Sequence, residues 1–200
     1  MPITFDLDGE HRPKAYQILS SLITPRPIAW VSTLNEDGTV NVAPFSFFNC
    51  FGSRPPMIVF APGDKEPGVP KDTARNIKRQ KQFVIHTVDR AMLDLMNQSA
   101  ATLPYQVAEL SAEHFIASET IEVPRIAAAP AAFECSEHSC IEIGQNRLVI
   151  GIVHKVHVQD GIANSDDAKI NQENYAPIGR MASPNWYCET DQLFQLDRPS

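Results

Sequence analysis

The 200-residue sequence has few cysteines, and their spacing gives no sign of a disulfide framework. Cys50, Cys135, Cys140 and Cys188 lie far apart and form no CxxC pair, which is typical of free thiols in a reducing compartment. Cys135, His138 and Cys140 are not spaced as a zinc knuckle, and strand alternation puts Cys135 and His138 on opposite faces. We therefore expect no metal site.

Positive charge and long apolar segments are also scarce. Lysine and arginine number 17 against 24 aspartate and glutamate residues, for a net charge of -7. Nucleic acids and anionic membranes need clustered positive charge, so we expect neither as a partner. No apolar run approaches the ~20 residues of a membrane span, and Asp6, Asp8 and Glu10 lie where a signal peptide would be apolar. These features predict a cytoplasmic protein.

The sequence contains enough apolar residues for one sizeable core. Hydrophobic residues make up 43% of the chain, and we expect residues 1–200 to form a single domain. Apolar runs bounded by proline and glycine predict strands at 57–61, 82–88, 131–143 and 148–158, the last two joined around 144–147. Helices are expected over 14–22, from Asp72 onward and from Asp89 to about Asn97. The predicted fold is mainly β with inserted helices, in a small closed barrel.

Residues 24–51 form the most informative stretch. Two β-rich runs flank Asp37-Gly38, and glycine supplies the positive φ that a tight hairpin loop needs. A four-residue loop over 35–38 pairs Leu34 with Thr39 and Trp30 with Ala43. This register predicts an indole beside small and polar partners, as in a binding site.

The aromatic segment after Pro44 has two interpretations. Residues 45–51 place four phenylalanines around the hydroxyl of Ser46 and the amide of Asn49. Such a mixture can hold a flat polar ring against apolar walls. A packed barrel core with two satisfied polar groups explains the same residues equally well.

A candidate anion site follows the loop of residues 62–70. Asp72 is expected to cap a helix whose first N–H groups, at Thr73 and Ala74, are free, with Lys71 and Arg75 beside them. Helix N-termini near positive side chains attract anions. The alternative is a capped, solvated surface helix.

Three histidines in strands are not expected to act in chemistry. His86 falls inside an apolar strand and is interpreted as a packed or hydrogen-bonded core residue. His154 and His157 lie near the far end of the last long strand and are interpreted as surface residues.

Four motifs, in their order and spacing, resemble the flavin reductase-like family of FMN-binding split barrels, which includes reductase components of two-component monooxygenases. They are Pro25-Arg-Pro-Ile-Ala-Trp-Val-Ser-Thr33, Asn41-Val-Ala-Pro-Phe-Ser-Phe-Phe-Asn49, Lys71-Asp-Thr-Ala-Arg-Asn76 and Pro177-Ile-Gly-Arg180. The resemblance implies a six-stranded antiparallel split barrel, Greek-key-like, that forms a homodimer with FMN near the subunit interface.

The resemblance also implies a set of flavin-binding residues. By position, the flavin would be lined by Trp30, Ser32 and Thr33, while Pro44, Phe45, Ser46 and Asn49 approach its ring and ribityl chain. The phosphate or the ring edge would be reached by Lys71, Asp72, Thr73 and Arg75, and Arg180 is included as a further cofactor-binding residue. An FMN phosphate carries about -1.5 to -2 charges, so an acidic protein needs local cations and hydroxyls to hold it.

The expected function is that of an NAD(P)H-dependent FMN reductase supplying reduced flavin to a partner monooxygenase or another acceptor. The flavin carries the hydride chemistry, so no catalytic acid, base or nucleophile is predicted. Two alternatives remain: an FMN-bound oxygenase acting on a small organic substrate, and a non-catalytic FMN electron-transfer protein. Residues 175–187 depart from the Arg/Tyr-rich C-terminal segment of many flavin reductases, which leaves the electron donor less defined than FMN.

Overall fold

The computed structural model describes residues 2–199, and Met1 and Ser200 lie outside the described residues. The strands are β1 (Ala29–Leu34), β2 (Val40–Phe45), β3 (Phe48–Ser53), β4 (Pro56–Phe60), β5 (Asp64–Glu66), β6 (Val69–Pro70), β7 (Gln82–His86), β8 (Phe115–Ile116), β9 (Arg125–Ile126), β10 (Ala131–Ile143), β11 (Asn146–Val158), β12 (Gly179–Arg180) and β13 (Tyr187–Cys188). The helices are α1 (Ala15–Leu22), α2 (Asp72–Gln80) and α3 (Leu93–Gln98), with 3-10 turns at Arg12–Lys14 and Ala112–His114. Between residues 2 and 199, no helix is long and apolar enough to cross a membrane.

The main sheet is antiparallel and follows the order β2-β1-β7-β10-β11-β4-β3. This confirms the mainly β fold with inserted helices. The sheet has seven strands where the resemblance implies six. β2 ends at Phe45, and after Ser46 and Phe47 the chain continues as β3, which pairs with β4 at the edge of the sheet.

The sheet is buried on both faces along β1, the strand that carries the first motif. On one face, Ala29 and Val31 pack with Phe45, Phe60 and other apolar side chains of the barrel interior. On the other face, Trp30 packs in a second cluster that includes α3 and the chain around Leu110 and Ile126. Burial on both faces explains why the strand is apolar or small throughout and does not alternate with polar residues.

The first hairpin differs from its predicted register by one residue. Leu34 pairs with Val40 and Trp30 with Pro44, so the loop comprises five residues, 35–39, and not four. The extra residue is held because Thr39 N–H donates to Asp37 Oδ1 at 3.0 Å. Gly38 has the predicted positive φ, 85°. A one-residue slip reverses the side-chain facing of a strand relative to its partner.

The turn of the second hairpin is shorter than predicted, because β11 begins two residues earlier. β10 and β11 are joined through Gly144 and Gln145 alone, and Gly144 has a φ of 59°. Further along β11, Gly151 lies under the ring of Phe83. A Cβ added at Gly151 would be 2.5 Å from Phe83 Cζ, so the close approach of strand and ring requires glycine.

His86 is a hydrogen-bonded core histidine, as predicted. Its Nδ1 lies 2.8 Å from the carbonyl oxygen of Trp30, and the N–H of Ile126 donates to its Nε2 at 2.9 Å. Nε2 therefore accepts, which places the proton of the neutral ring on Nδ1. Burial, reinforced by the charge of Arg125, lowers the pKa of His86 to about 4 despite the bond to Trp30.

The two histidines of β11 have different environments. His154 is exposed, as predicted. The surface interpretation of His157 is wrong, because its Nε2 lies 2.6 Å from Oε1 of the fully buried Glu134. Burial by itself raises the pKa of Glu134, but hydrogen bonds from Thr120, the N–H of Glu119 and His157 lower it to about 2.

Candidate functional site

A cavity of about 530 Å³ lies where β2 and its link to β3 meet the start of α2, α1 and the C-terminal segment. Its volume is within the usual range for small-molecule sites. The aromatic side chains on its walls are those of Tyr16, Phe45, Phe47 and Tyr187, and the cationic ones are those of Lys71 and Arg180. Sequence reasoning missed Tyr16 and Tyr187, which the fold brings to the cavity from opposite ends of the chain.

A second cavity, of about 230 Å³, adjoins the first. The two share Pro44, Lys71 and Ala100 as lining residues, so Lys71 lies at their junction. Glu109, which the sequence gave no reason to select, also lines the second cavity, and the N–H of Val42 donates to its Oε2 at 2.8 Å. Adjoining cavities with a cation between them suit an elongated ligand that carries an anionic group.

Lys71 is the cation at this junction. Its Nζ lies 5.3 Å from the centroid of the Phe45 ring, and among residues 2–199 no carboxylate oxygen lies within 4 Å of that atom. Burial lowers the pKa of Lys71, and the neighbouring charge of Lys65 lowers it further. A partly desolvated cation without a counterion attracts an anion strongly.

The predicted N-cap role of Asp72 is wrong. Asp72 is the first residue of α2, Lys71 occupies the N-cap position, and no side chain forms a capping hydrogen bond. The Asp72 carboxylate contacts two cations instead: Lys65 Nζ donates to Oδ2 at 2.7 Å, and Arg75 Nη1 lies 3.4 Å from Oδ1. Two cations thus compensate the charge of Asp72, which leaves Lys71 available to another anion.

A buried network of amides and hydroxyls connects the first three motifs. Thr33, predicted to line the flavin, is fully buried, and its Oγ1 accepts hydrogen bonds from Asn41 and Asn76, both at 3.1 Å. Asn41 also donates to Thr73 Oγ1 at 3.0 Å, and Thr73 lines the second cavity. Thr33 therefore acts behind the cavity wall and holds α2 against the hairpin. The amides of Asn41 and Asn76 lie within the motifs, but sequence reasoning gave them no role.

Trp30 and Ser32 are also fully buried and line neither cavity. Trp30 Nε1 donates to Ser99 Oγ at 2.8 Å, and Ser32 Oγ donates to the carbonyl of Pro124 at 2.8 Å. Their predicted direct contact with the flavin is not supported, because the chain around residues 99 and 124 covers this face of β1. Ser99 lines the second cavity, so Trp30 supports that wall from behind.

The remaining predicted residues divide into two groups. Pro44, Phe45, Ser46, Lys71 and Arg180 line the larger cavity, while Pro44, Lys71, Asp72 and Thr73 line the second one. Asn49 and Arg75 line neither. Asn49 is exposed on β3 and its Oδ1 accepts from the N–H of Cys50 at 2.8 Å, while the Arg75 guanidinium lies 4.4 Å from the Tyr105 ring centroid.

Aromatic walls beside an uncompensated lysine, on an antiparallel β fold, are suited to a flat ligand with an anionic group. Residues 20–179 match the family described as flavin reductase like domain. The chain belongs to this family, whose members bind flavin, and it is an oxidoreductase.

Solved structures agree with this assignment. The 2-nitrobenzoate 2-nitroreductase of Pseudomonas fluorescens is 30% identical, with a TM-score of 0.88 over 99% of this chain and 97% of that one. Component B of nitrilotriacetate monooxygenase from Bacillus cereus is 29% identical, with a TM-score of 0.91 over 98% and 99% of the two chains. A Shewanella frigidimarina protein with a split barrel domain, 16% identical, has a TM-score of 0.78 over 99% and 100%. The split-barrel fold is thereby confirmed.

Proposed function

We propose that this chain is an NAD(P)H-dependent FMN reductase. The observation that carries the proposal is Lys71, a half-buried cation without a carboxylate partner in the described chain, at the junction of two cavities and beside the Phe45 ring. FMN combines a flat ring with a terminal phosphate, and these features match the aromatic wall and the uncompensated cation. Riboflavin lacks the phosphate and would leave Lys71 without its partner.

The proposed contacts follow from the residues that reach the cavities. Lys71 and the Thr73 hydroxyl would bind the phosphate, whereas Pro44, Phe45 and Ser46 would contact the ring and ribityl chain. Arg180 would contact the cofactor from the C-terminal side of the larger cavity, and Asp72 would accept from a hydroxyl or from the ring N3–H. Trp30, Ser32 and Thr33 would act through these residues, and Asn49 and Arg75 would lie at the periphery.

The chemistry would be supplied by the bound flavin, which takes up a hydride from the reduced nicotinamide. The protein's part is to position the two rings and to exclude water. Tyr16, Phe47 and Tyr187 give the larger cavity further aromatic surface for the nicotinamide. His86 lines neither cavity and is held neutral in the core, so it is not proposed as an acid or base.

The acceptor of the electrons is proposed to be a partner monooxygenase. The similarity to a component B of a two-component enzyme supports this assignment. A second candidate function is the direct reduction of a small aromatic anion. The similarity to the nitroreductase supports it, and so does the position of Arg180. The Arg180 guanidinium lies 4.5 Å from the Tyr187 ring centroid, and both line the larger cavity, where they would bind a carboxylate attached to a ring.

We also propose that residues 1–200 are one domain and that two chains form a homodimer. Tyr16, Leu22, Ile23 and Phe51 are large apolar residues that are 60%, 72%, 63% and 63% exposed, and Tyr16 lines the larger cavity. We infer that these side chains form part of a subunit interface, since exposed apolar patches mark interaction sites. A second chain would cover this side of the flavin site.

The experiment that tests the reductase function is anaerobic stopped-flow mixing of the FMN-loaded protein with NADH or NADPH. We expect the flavin absorbance to bleach with at least one nucleotide. Dithionite is the control that shows the bound flavin to be reducible. Bleaching by dithionite but by neither nucleotide would contradict the reductase function and favour an electron-transfer protein.

A further inference from the structure

Arg26 is a buried cation that joins three segments around the larger cavity. It is 5% exposed, and its Nη1 donates to the carbonyls of Ser20 and Ile23, the latter at 3.0 Å. Its Nη2 donates to the carbonyl of Met181 at 3.0 Å, and its Nε donates to Ser46 Oγ at 3.3 Å. The guanidinium thus ties the end of α1 and the C-terminal segment to the link between β2 and β3.

The charge of Arg26 is not neutralised by the described chain. Every acceptor of its hydrogen bonds is a neutral carbonyl or hydroxyl, and across residues 2–199 no carboxylate oxygen lies within 4 Å of its guanidinium nitrogens. Burial lowers the pKa of Arg26, but a guanidinium remains protonated throughout the physiological pH range. A positive charge therefore lies behind Ser46 in a poorly screened environment.

The contact with Arg26 determines which way Ser46 can donate. Arginine has only donors, so Ser46 Oγ must accept in this contact, and its own hydrogen points elsewhere. In the part of the chain that the structure describes, the Ser46 hydroxyl donates to no protein acceptor, and Ser46 lines the larger cavity. Its O–H is available to a ligand, and the bond from a cation makes it a stronger donor.

We propose that Arg26 is a positioning residue of the flavin site, acting through Ser46. It fixes the Ser46 hydroxyl as a donor to the flavin ring and thereby stabilises the negative charge that the ring gains on reduction. The inference rests on the proposed function only in that FMN occupies the larger cavity. It does not require that NADH or NADPH be the electron donor.

A purely structural role for Arg26 is the alternative that the experiment must exclude. The backbones of Arg26 and Arg180 also pair, with N–O distances of 2.9 Å and 2.8 Å, so the region is held together by more than the guanidinium. If Arg26 were only a structural tie, its loss would lower the thermal stability of the protein. The variant would also bind oxidised and reduced FMN less well to the same extent. Loss of a polarised donor would weaken the reduced state more than the oxidised one.

The test is the midpoint potential of bound FMN, measured by anaerobic dye-coupled titration, together with the affinity for oxidised FMN. The variants are Ser46→Ala, Ser46→Thr, Arg26→Lys, Arg26→Met and the double variant Arg26→Met with Ser46→Ala. Arg90→Gln is the control, since the Arg90 side chain is 74% exposed and its Nε lies 3.8 Å from Glu189 Oε1. We expect Ser46→Ala to weaken reduced FMN about tenfold relative to oxidised FMN, which for a two-electron couple is a shift of about -30 mV.

The proposal is tested by comparing the midpoint potential of bound FMN between the variants. Ser46→Thr keeps the hydroxyl and should keep the wild-type potential, whereas Arg26→Met should shift it downward by no more than Ser46→Ala does. The double variant should match Ser46→Ala alone, because the two residues act in series. Additive shifts, or no shift in Ser46→Ala, would overturn the proposal. If Arg26→Met does not fold, Arg26→Lys takes its place, alone and combined with Ser46→Ala, and the same comparison decides.

Failure of this inference is distinguishable from failure of the proposed function. A wild-type protein that binds FMN but is not reduced by NADH or NADPH contradicts the reductase function, and the dye titration still measures the potentials. A wild-type protein that binds no FMN overturns both. Normal NAD(P)H-dependent bleaching with an unchanged potential in Ser46→Ala and Arg26→Lys overturns only the role of Arg26.

Discussion

Lys71 Nζ lies 5.3 Å from the centroid of the Phe45 ring, although the two residues come from different motifs. Phe45 lies in β2 and Lys71 immediately before α2. The buried network of Thr33, Asn41 and Thr73 holds β2 and α2 together. The structure thereby places a cation and an apolar wall side by side, which is what the proposed FMN site requires. The following predictions test this arrangement and the fold that supports it.

Removing the Lys71 ammonium should weaken FMN much more than riboflavin. A charge-assisted contact contributes about 1.5 to 3 kcal/mol, so Lys71→Ala should weaken FMN about tenfold to a hundredfold. Riboflavin affinity should barely change. Fluorescence titration of both ligands measures this, with Lys78→Ala on the exposed side of the same helix as the control. Equal losses for both ligands would show that Lys71 does not bind the phosphate.

Asn76→Ala should destabilise the protein and weaken the site indirectly. Its Nδ2 donates to Thr33 Oγ1 at 3.1 Å and to Asn35 Oδ1 at 2.8 Å, and the side chain is fully buried. Thr33 Oγ1 would keep its hydrogen bond from Asn41, but Asn35 Oδ1 would lose a buried donor, which costs about 1 to 3 kcal/mol. Urea unfolding should show this loss, while Gln192→Ala, at an exposed position, should unfold like the wild type. A wild-type midpoint for Asn76→Ala would contradict the network.

Gly151→Ala should destabilise the barrel. The new Cβ would be 2.5 Å from Phe83 Cζ, and Phe83 is fully buried and cannot move aside freely. Overpacking of this kind costs about 1 to 3 kcal/mol. Gly63→Ala is a matched control, because its nearest neighbour would be at 3.8 Å, an ordinary contact. In a Phe83→Leu background, the additional cost of Gly151→Ala should shrink, and an unchanged cost would exclude the ring as its cause.

His86 should make the folded state sensitive to acid. Its folded pKa of about 4 lies below the value of about 6.5 for an unfolded histidine, so the unfolded chain binds the proton more tightly. Its contribution to stability is complete above pH ~6.5 and is lost as the pH falls through 4. His86→Gln, which can still donate to Trp30 and accept from Ile126, should flatten the unfolding free energy across this pH range. Denaturant titrations at a series of pH values measure it, and an unchanged slope would contradict the assignment.

The protein should be a homodimer in dilute solution. Burial of the exposed apolar side chains of α1 and β3 would drive association. Leu22→Glu, at a position that is 72% exposed, should shift light scattering toward the monomer without altering the circular dichroism spectrum. Val107→Glu, at a 46% exposed position elsewhere in the chain, is the control. A wild-type monomer that binds FMN fully would contradict an interface that covers the flavin site.

The sequence by itself determined the features that depend on neighbouring residues. Alternating and continuous apolar runs predicted β10 and β11 to within a few residues, and Gly38 predicted a loop with positive φ. The order of the four motifs indicated the family and the split barrel. Lys71 was recognised as a cation next to a helix start. These signals are local, because strand periodicity and turn geometry are set by adjacent residues.

Only the tertiary structure decided which of the motif side chains reach the cavities. Loops distant in sequence cover Trp30 and Ser32, whose side chains donate to Ser99 Oγ and to the carbonyl of Pro124. His157 contacts the buried carboxylate of Glu134, 23 residues away in the sequence. Arg26 joins two other segments by donating to the carbonyls of Ser20 and Met181. These partners depend on which distant segments pack together. A buried polar group must form a hydrogen bond, and the packed segment supplies its partner.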